Sequence, residues 1–251
     1  MTKNKNHAKN MQQKGQASSS SEPPLWLTDR DNNNTAPIFF WKPQEAWGFL
    51  GQWYPSSFKG PLPEFCHDGP DCTQCEAERK RFGCAEQYMM YHKALTFNDT
   101  KTSEQILATD DPKTMKALGR KVHGFTDHAW DDVKFDVVVQ ASLLKFGVEA
   151  NCEARADDSF AYGGVGRRHD QNVVRLREML LSTGTRELVE ASALDRIWGI
   201  GFSPEEAGGH GEEERLKWGK NLLGRALMEA RRRIRVEEGL EIEQDEGQEE
   251  D

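Results

Sequence analysis

No apolar run in this 251-residue chain approaches the ~18 to 20 residues of a membrane helix, and its start lacks the ~7 to 15 apolar residues at the heart of a signal peptide. A membrane partner and a secretory route are therefore not expected, and the chain reads as intracellular, in the cytoplasm. The first segment is also too Arg-poor and too weakly amphipathic for an organellar presequence. Cysteine is scarce. Five residues, an odd number, fit reduced thiols better than a disulfide framework. Aliphatic residues are almost missing before Leu25, and basic residues are missing from 237–251, which hold nine acidic ones. Neither end carries enough apolar surface to offset the entropy of ordering it, so 1–36 is expected to be a disordered polar tail and 237–251 a disordered acidic one. The folded part is then one domain over 37–236. Removing the −9 of the acidic tail and the +2 of residues 1–36 (five Lys or Arg against three Asp or Glu) from the formal −9 leaves −2 for that domain. Such a balance offers no broad basic face to duplex nucleic acid and favours a small-molecule substrate, with local phosphate recognition left open.

What is present outlines an α+β fold, mainly helical with a small sheet. Ile38 to Trp41 reads as a strand. Residues 59–83 read as an inserted loop and then a strand leading into a central helix over Ala85 to Phe97, which Asn98-Asp99 breaks. Ser103 is expected to cap a short helix, and Asp111-Pro112 to start another, with proline where its missing N–H costs least. Thr126 is the expected cap of a longer helix whose Trp130, Val133, Val137, Ala141 and Leu144 recur at helical spacing before Gly147 stops it. Residues 151–169 have no period and read as a surface insertion, with a helix resuming near Gln171. Leu188 to Ser192 reads as a buried strand, Ile197 to Ser203 as a loop, and Gly208 to Glu214 as a polar, mobile insertion. Asn221 is expected to cap the last helix, whose Arg231, Arg232 and Arg233 sit where the dipole favours cations.

Function concentrates in residues 84–97, Cys-Ala-Glu-Gln-Tyr-Met-Met-Tyr-His-Lys-Ala-Leu-Thr-Phe. Glu86 and Lys93 are seven residues apart, which returns nearly to the same helical face roughly 10 Å further along the axis. A carboxylate and an amine could line one pocket there, or both could be solvated charges on the helix surface. Cys66, Cys72, Cys75 and Cys84, with His67 adjacent, supply enough thiolates for one tetrahedral zinc. A single C-x2-C without a second knuckle is a weak metal signature, and the reading assigns no metal and no cofactor.

Several segments together resemble the NADAR, or YbiA-like, family. Gly48 to Phe58 (Gly-Phe-Leu-Gly-Gln-Trp-Tyr-Pro-Ser-Ser-Phe) is similar to its opening segment and Ala85 to Lys93 to its central helix. Leu118-Gly119-Arg120, the Trp130 helix running to Lys145-Phe146-Gly147, Leu188 to Ser192, Asp195 to Gly199 and Trp218 to Gly224 follow in the family's order. Seven ordered segments are far more specific than any one short motif. The resemblance implies a YbiA-like domain with insertions near 59–83, 151–169 and 203–217. It also implies N-glycosidic chemistry on phosphoribosylamino-pyrimidine intermediates of riboflavin synthesis, with ADP-ribose attached to guanine as the alternative substrate. A non-catalytic ADP-ribose or nucleotide-binding module is the third reading.

Breaking a C–N bond at an anomeric carbon builds positive charge on the ribose and negative charge on the departing nitrogen. An enzyme for this wants a carboxylate near the sugar, a proton source near the base and a held water. Glu86 is the first choice for general acid or base and Asp195 for the second carboxylate, with Glu190 in reserve; Asp195 reads equally well as a turn residue capping its own loop. Lys93 either balances Glu86 or, as a neutral amine, attacks the open-chain sugar. Trp198 and Trp130 are candidate stacking rings for the base, and Arg120 a bidentate phosphate contact helped by Asn221 and the last helix's N-terminus. Gly48, Ser56 and Ser57 belong to the segment that would approach ribose or phosphate. Deleting residues 1–36 and 237–251 together is expected to leave a folded, active protein; a large loss of melting temperature in the truncated protein would show that a tail docks.

Overall fold

The computed structural model describes residues 35–60, 79–147 and 169–240. The expectations for 1–34, 241–251, and the 61–78 and 148–168 parts of the insertions concern residues outside this range. In chain order the strands and helices are β1 (Ile38–Phe40), β2 (Phe58–Gly60), β3 (Lys80–Phe82), α1 (Ala85–Thr96), α2 (Thr100–Leu107), α3 (Pro112–Gly119), α4 (Asp127–Phe146), α5 (His169–Leu181), β4 (Leu188–Glu190), α6 (Pro204–Ala207), α7 (Glu212–Arg215) and α8 (Leu222–Glu237). The chain is a mainly helical α+β domain with little sheet, as its pattern predicts.

Two strand pairs organise the helices. β1 lies parallel to β4, with Ile38 opposite Leu188 and Phe40 opposite Glu190. Side chains alternate across a strand, so Ile38, Phe40 and Leu188 enter the main core while Phe39 and Val189 face a second apolar cluster with Ala191, Ile200, Ala207 and Trp218. β2 and β3 form an antiparallel pair around the 61–78 insertion, and Phe58 and Phe82 meet there beside Tyr88.

α1 is buried on nearly all sides, packed by α2, α3 and α4. One of its polar residues ties the surrounding segments together. Gln87 accepts from the Gly83 N–H at 2.7 Å and donates to the carbonyls of Ile106 and Thr109, each at 2.9 Å. His92 stacks on Tyr88, and burial lowers its pKa to about 4, which leaves it neutral. Asn98 closes the helix in the left-handed region, φ 55°, which its short side chain tolerates.

Four expectations are corrected. α2 is capped by Asp99, which accepts from the Thr102 N–H at 3.0 Å; Ser103 lies inside the helix and donates back to the Thr100 carbonyl at 2.8 Å. Of Gly208 to Glu214, the residues from Glu212 on belong to α7, and α6 just before the stretch is capped by Ser203 and Glu206 exchanging bonds in a capping box. Arg231 is no terminal dipole partner: it is buried, and its guanidinium donates to Thr183 Oγ1 and the Arg186 carbonyl, tying α8 to the turn before β4. α8 also runs into the supposed acidic tail, where Glu238 pairs with Arg177. A truncation that preserves the fold therefore ends after Leu240.

α8 packs on α4 and β4 through Gly224, where an added Cβ would lie 2.0 Å from the Leu188 carbonyl oxygen. Backbone atoms cannot move aside as a flexible side chain can. Gly224→Ala is expected to cost about 1 to 3 kcal/mol or more of unfolding free energy in denaturant titration. Gly124→Ala, in open space at φ 72°, tests backbone strain alone and should cost about 1 kcal/mol. Equal losses in both variants would rule out the close approach as the cause.

Candidate functional site

Glu86 is the second residue of α1, and its N–H donates to the Gln52 carbonyl at 3.1 Å. Only 4% of it is exposed, and its Oε1 is buried without a hydrogen-bond partner. Burial raises its carboxyl to about 7, further lifted by Asp195 and opposed by Lys116, by a hydrogen bond from Trp53 and by Arg120. A first-turn position favours the anion through the helix dipole, so desolvation is the larger effect here.

Glu190 arrives from the C-terminal end of β4. Its backbone is held on both sides: the N–H donates to Asn221 Oδ1 at 3.0 Å, and its carbonyl accepts from Ile200 at 3.0 Å. Its Oε2 is also buried without a partner. Burial first, then the charges of Asp195 and Glu86, raise its carboxyl to about 8, against Lys116.

Asp195 completes the group in a different way. Its Oδ1 accepts from the N–H groups of Ile197 at 2.9 Å and Trp198 at 2.8 Å, which makes it the turn residue of its own loop as well as a charge beside Glu86 and Glu190. That loop is fastened to the start of α8. Gly219, Lys220, Leu222 and Leu223 donate to Ile200, Arg196, Ile197 and Trp198 at 2.8 to 3.1 Å. The first N–H groups of α8 are thus spent inside the protein, and Asn221, in the left-handed region at φ 49°, makes no side-chain cap bond. Its amide instead bridges the Glu190 N–H and the Leu188 carbonyl. The expected cap and phosphate helper is a strut for β4.

The cationic side comes from α3. Lys116 acts on Glu86 and Glu190, and Arg120, exposed at the helix end, acts on Glu86 and on Lys93. Lys93 lies 3.9 Å from the ring centre of Phe125 and 5.9 Å from that of Trp130; burial lowers its pKa, opposed by Asp127 and reinforced by Arg120. Glu86 and Lys93 thus share Arg120 as a neighbour but have otherwise different charged surroundings. Trp130 is buried on α4, and Trp198 is half-buried against the main core. Ser57 Oγ accepts from Arg81 at 3.1 Å, Ser56 Oγ donates to the Tyr54 carbonyl at 3.2 Å, and Gly48 is buried in a 3-10 turn with no room for a side chain.

Cys84 is buried against Met115, its thiol pushed up to about 11; Cys66, Cys72, Cys75 and His67 lie outside the described residues. Among the described residues no group of three His, Cys, Asp or Glu is arranged to hold a metal. Among those same residues no helix is long and apolar enough to cross a membrane.

Three contributors escaped the sequence reading. Lys116 precedes Arg120 by four residues on one helical face, a visible signal. Trp53 lay inside the quoted opening segment. Lys145, whose Nζ donates to the Gly51 carbonyl at 2.8 Å and whose pKa burial pulls down to about 7, had no signal beyond its family segment.

Carboxyl groups raised by burial beside two cations are the kind of groups that acid–base chemistry uses. The NADAR domain matches residues 39–235. An N-glycosidase of Acanthamoeba polyphaga mimivirus is 34% identical over 191 residues, covering 76% of this chain and 89% of that one. The N-glycosidase YbiA of Escherichia coli is 29% identical, over 59% of this chain and 69% of its own length. The solved E. coli YbiA structure shares the fold, with a TM-score of 0.51 at 24% identity over 85% of this chain and 92% of that one. The chain belongs to the NADAR domain family.

A raised carboxyl holds its proton more tightly in the native than in the unfolded chain. The stability it lends is complete below the ordinary value of 4.5 and is lost as pH rises through about 7 for Glu86. Glu86→Gln is therefore expected to gain on the order of 1 to 3 kcal/mol over the native protein at pH 8, with the gap closing toward pH 4. Turnover should fall by a factor on the order of 10² to 10⁴. Denaturant titrations across pH and steady-state rates check both; parallel stability curves would mean that Glu86 is solvated.

Proposed function

We propose that the protein hydrolyses the C–N glycosidic bond of phosphoribosylamino-pyrimidine intermediates of riboflavin biosynthesis and releases ribose 5-phosphate. Hydrolysis of N-glycosyl bonds is the activity named for its family relatives, and the substrate is the step taken here. A riboflavin biosynthesis protein of Vibrio vulnificus supports it, being 26% identical over 82% of this chain, which spans 40% of that longer protein. The observation that carries the reading is the pair of carboxyls, buried Glu86 and half-buried Glu190, each with one buried, unpartnered oxygen and both under the influence of Lys116.

The chemistry follows from charge. As the anomeric bond lengthens, the ribose ring becomes cationic, and carboxylates in a site shielded from water stabilise it more strongly than they would in bulk solvent. Arg120, exposed at the end of α3, offers its guanidinium fork to the 5-phosphate, and Lys93 supports it from α1. Such a substrate needs an acid–base site, a phosphate contact and a flat surface for the pyrimidine, for which Phe125 and Trp130 beside Lys93, and Trp198 in the Asp195 turn, are the candidate rings.

Mass spectrometry on the purified protein should detect ribose 5-phosphate from a phosphoribosylamino-pyrimidine, and Arg120→Ala should raise KM for it by on the order of tenfold with a smaller change in kcat. Release of ADP-ribose from ADP-ribosylated guanine, with no ribose 5-phosphate from the pyrimidine, would overturn the substrate.

A further inference from the structure

Lys145 is a buried amine that the proposed reaction does not use. It stands in the last turn of α4, where a lysine favours the helix dipole from the surface without being buried. Instead only 2% of it is exposed, with the rings of Tyr54 and Phe146 centred 5.5 and 4.9 Å from its Nζ. No carboxylate pairs with it among the described residues. Its Nζ donates to the Gly51 carbonyl, 94 residues away in sequence, at 2.8 Å. That carbonyl already accepts from the Tyr54 N–H at 3.3 Å, so the lysine is not there to satisfy an orphaned acceptor. Burying an amine without an acidic partner is costly, and a methionine would fill similar space without that cost. What the amine adds is a fixed place for the Gly51 peptide.

The residues that follow Gly51 hold Glu86. The Gln52 carbonyl accepts from the Glu86 N–H at 3.1 Å, and Trp53 hydrogen-bonds the Glu86 carboxyl. Glu86 Oε1 has no partner, so the indole N–H meets the other oxygen and leaves Oε1 open. The Gln52 side chain is buried along the same helix, its Nε2 3.5 Å from Met89 Sδ. Further on, the Ser56 N–H donates to the Gly83 carbonyl at 2.9 Å, which closes the segment onto the entry to α1. We infer that Lys145 is a positioning residue for the acid–base group Glu86, acting through the turn at 51–53 that it fastens to the end of α4. Its effect on turnover rests on the N-glycosidase reading above; its effect on Glu86 does not. An amine donates whether charged or neutral, so the contact persists although burial draws Lys145 down to about 7. The other ionisable groups facing this link are Cys84 beside Lys145, and Lys116, Arg120 and Asp195 around Glu86.

The test uses the full chain carrying Lys145→Met, which keeps the volume and removes the donor. The Gly51 carbonyl retains its Tyr54 bond, so the variant is expected to fold. On a phosphoribosylamino-pyrimidine its kcat should fall on the order of 10- to 100-fold, with KM within about threefold of the native value. Two NMR signals read the same link without any substrate. The Trp53 indole N–H resonance, identified by its loss in Trp53→Phe, should move in Lys145→Met in the direction it moves in Glu86→Gln. The isotope-labelled Glu86 carboxyl should titrate above its native value of about 7, because the Trp53 bond that favours the anion is weakened. An unchanged kcat, or a lower kcat with the indole signal and the Glu86 titration both at native values, would overturn the inference. If the native protein releases no ribose 5-phosphate, the substrate reading fails instead, and the two NMR signals alone judge Lys145. If Lys145→Met does not fold, hydrogen exchange in the native protein decides. Glu86 N–H and Trp53 indole N–H exchanging as slowly as the Met90 N–H within α1 support a fastened turn, and exchange more than about 100-fold faster overturns it.

Discussion

The left-handed turn at Asn221 is the constraint on which the acidic half of the site depends. Because the backbone there adopts φ 49°, the amide side chain turns back to β4 and completes the hydrogen bonding of Leu188 and Glu190 on the edge away from β1. The next N–H groups of α8 fall against the carbonyls of Ile197 and Trp198. Helix, strand and the Asp195 loop are thus closed onto one another by main-chain bonds, and Glu190 cannot shift without breaking them. The unpaired donors that open most helices are used here to hold a loop. The N–H groups of Leu222 and Leu223 are thereby engaged within the protein.

Burial acts in one direction on four kinds of side chain around this core. It raises Glu86, Glu190 and the Cys84 thiol and lowers Lys145 and His92, each change favouring the uncharged form. Burial thus favours the protonated form of the two carboxyls and the thiol and the deprotonated form of Lys145 and His92. The same low-polarity surroundings strengthen any charge that develops during a reaction, since the fields of Lys116 and the carboxylates are little screened.

Much of the fold was legible because its signals are local. The proline after Asp111, the glycine after Phe146 and the spacing from Trp130 to Leu144 each mark a boundary or a face by a mechanism confined to a few residues. Ser103 misled because a serine within a helix forms back-bonds as readily as it caps, and the decisive residue was the aspartate following a left-handed asparagine. Arg231 misled because position along a helix says nothing of the partner elements that bury it. In the site, Glu86 was legible from its motif, while the proximity of Glu190, Lys116 and Asp195 was not. That proximity arises from the β1–β4 pairing and the packing of α3 on α1, contacts between residues far apart in sequence that no periodicity encodes.

The packing of α3 on α1 also explains why a glycine stands immediately before Arg120. A Cβ on Gly119 would lie 2.1 Å from Met90 Sδ, so the end of α3 touches α1 closely and a larger residue there would have to turn the Met90 side chain aside. Lys116 and Arg120 ride on this contact, one turn apart, and both act on the charge of Glu86. If α3 stood off by the width of a methyl group, both cations would move toward solvent, where their fields weaken steeply. Glu86 would then lose part of the cationic field that favours its anion, and its carboxyl would be raised further.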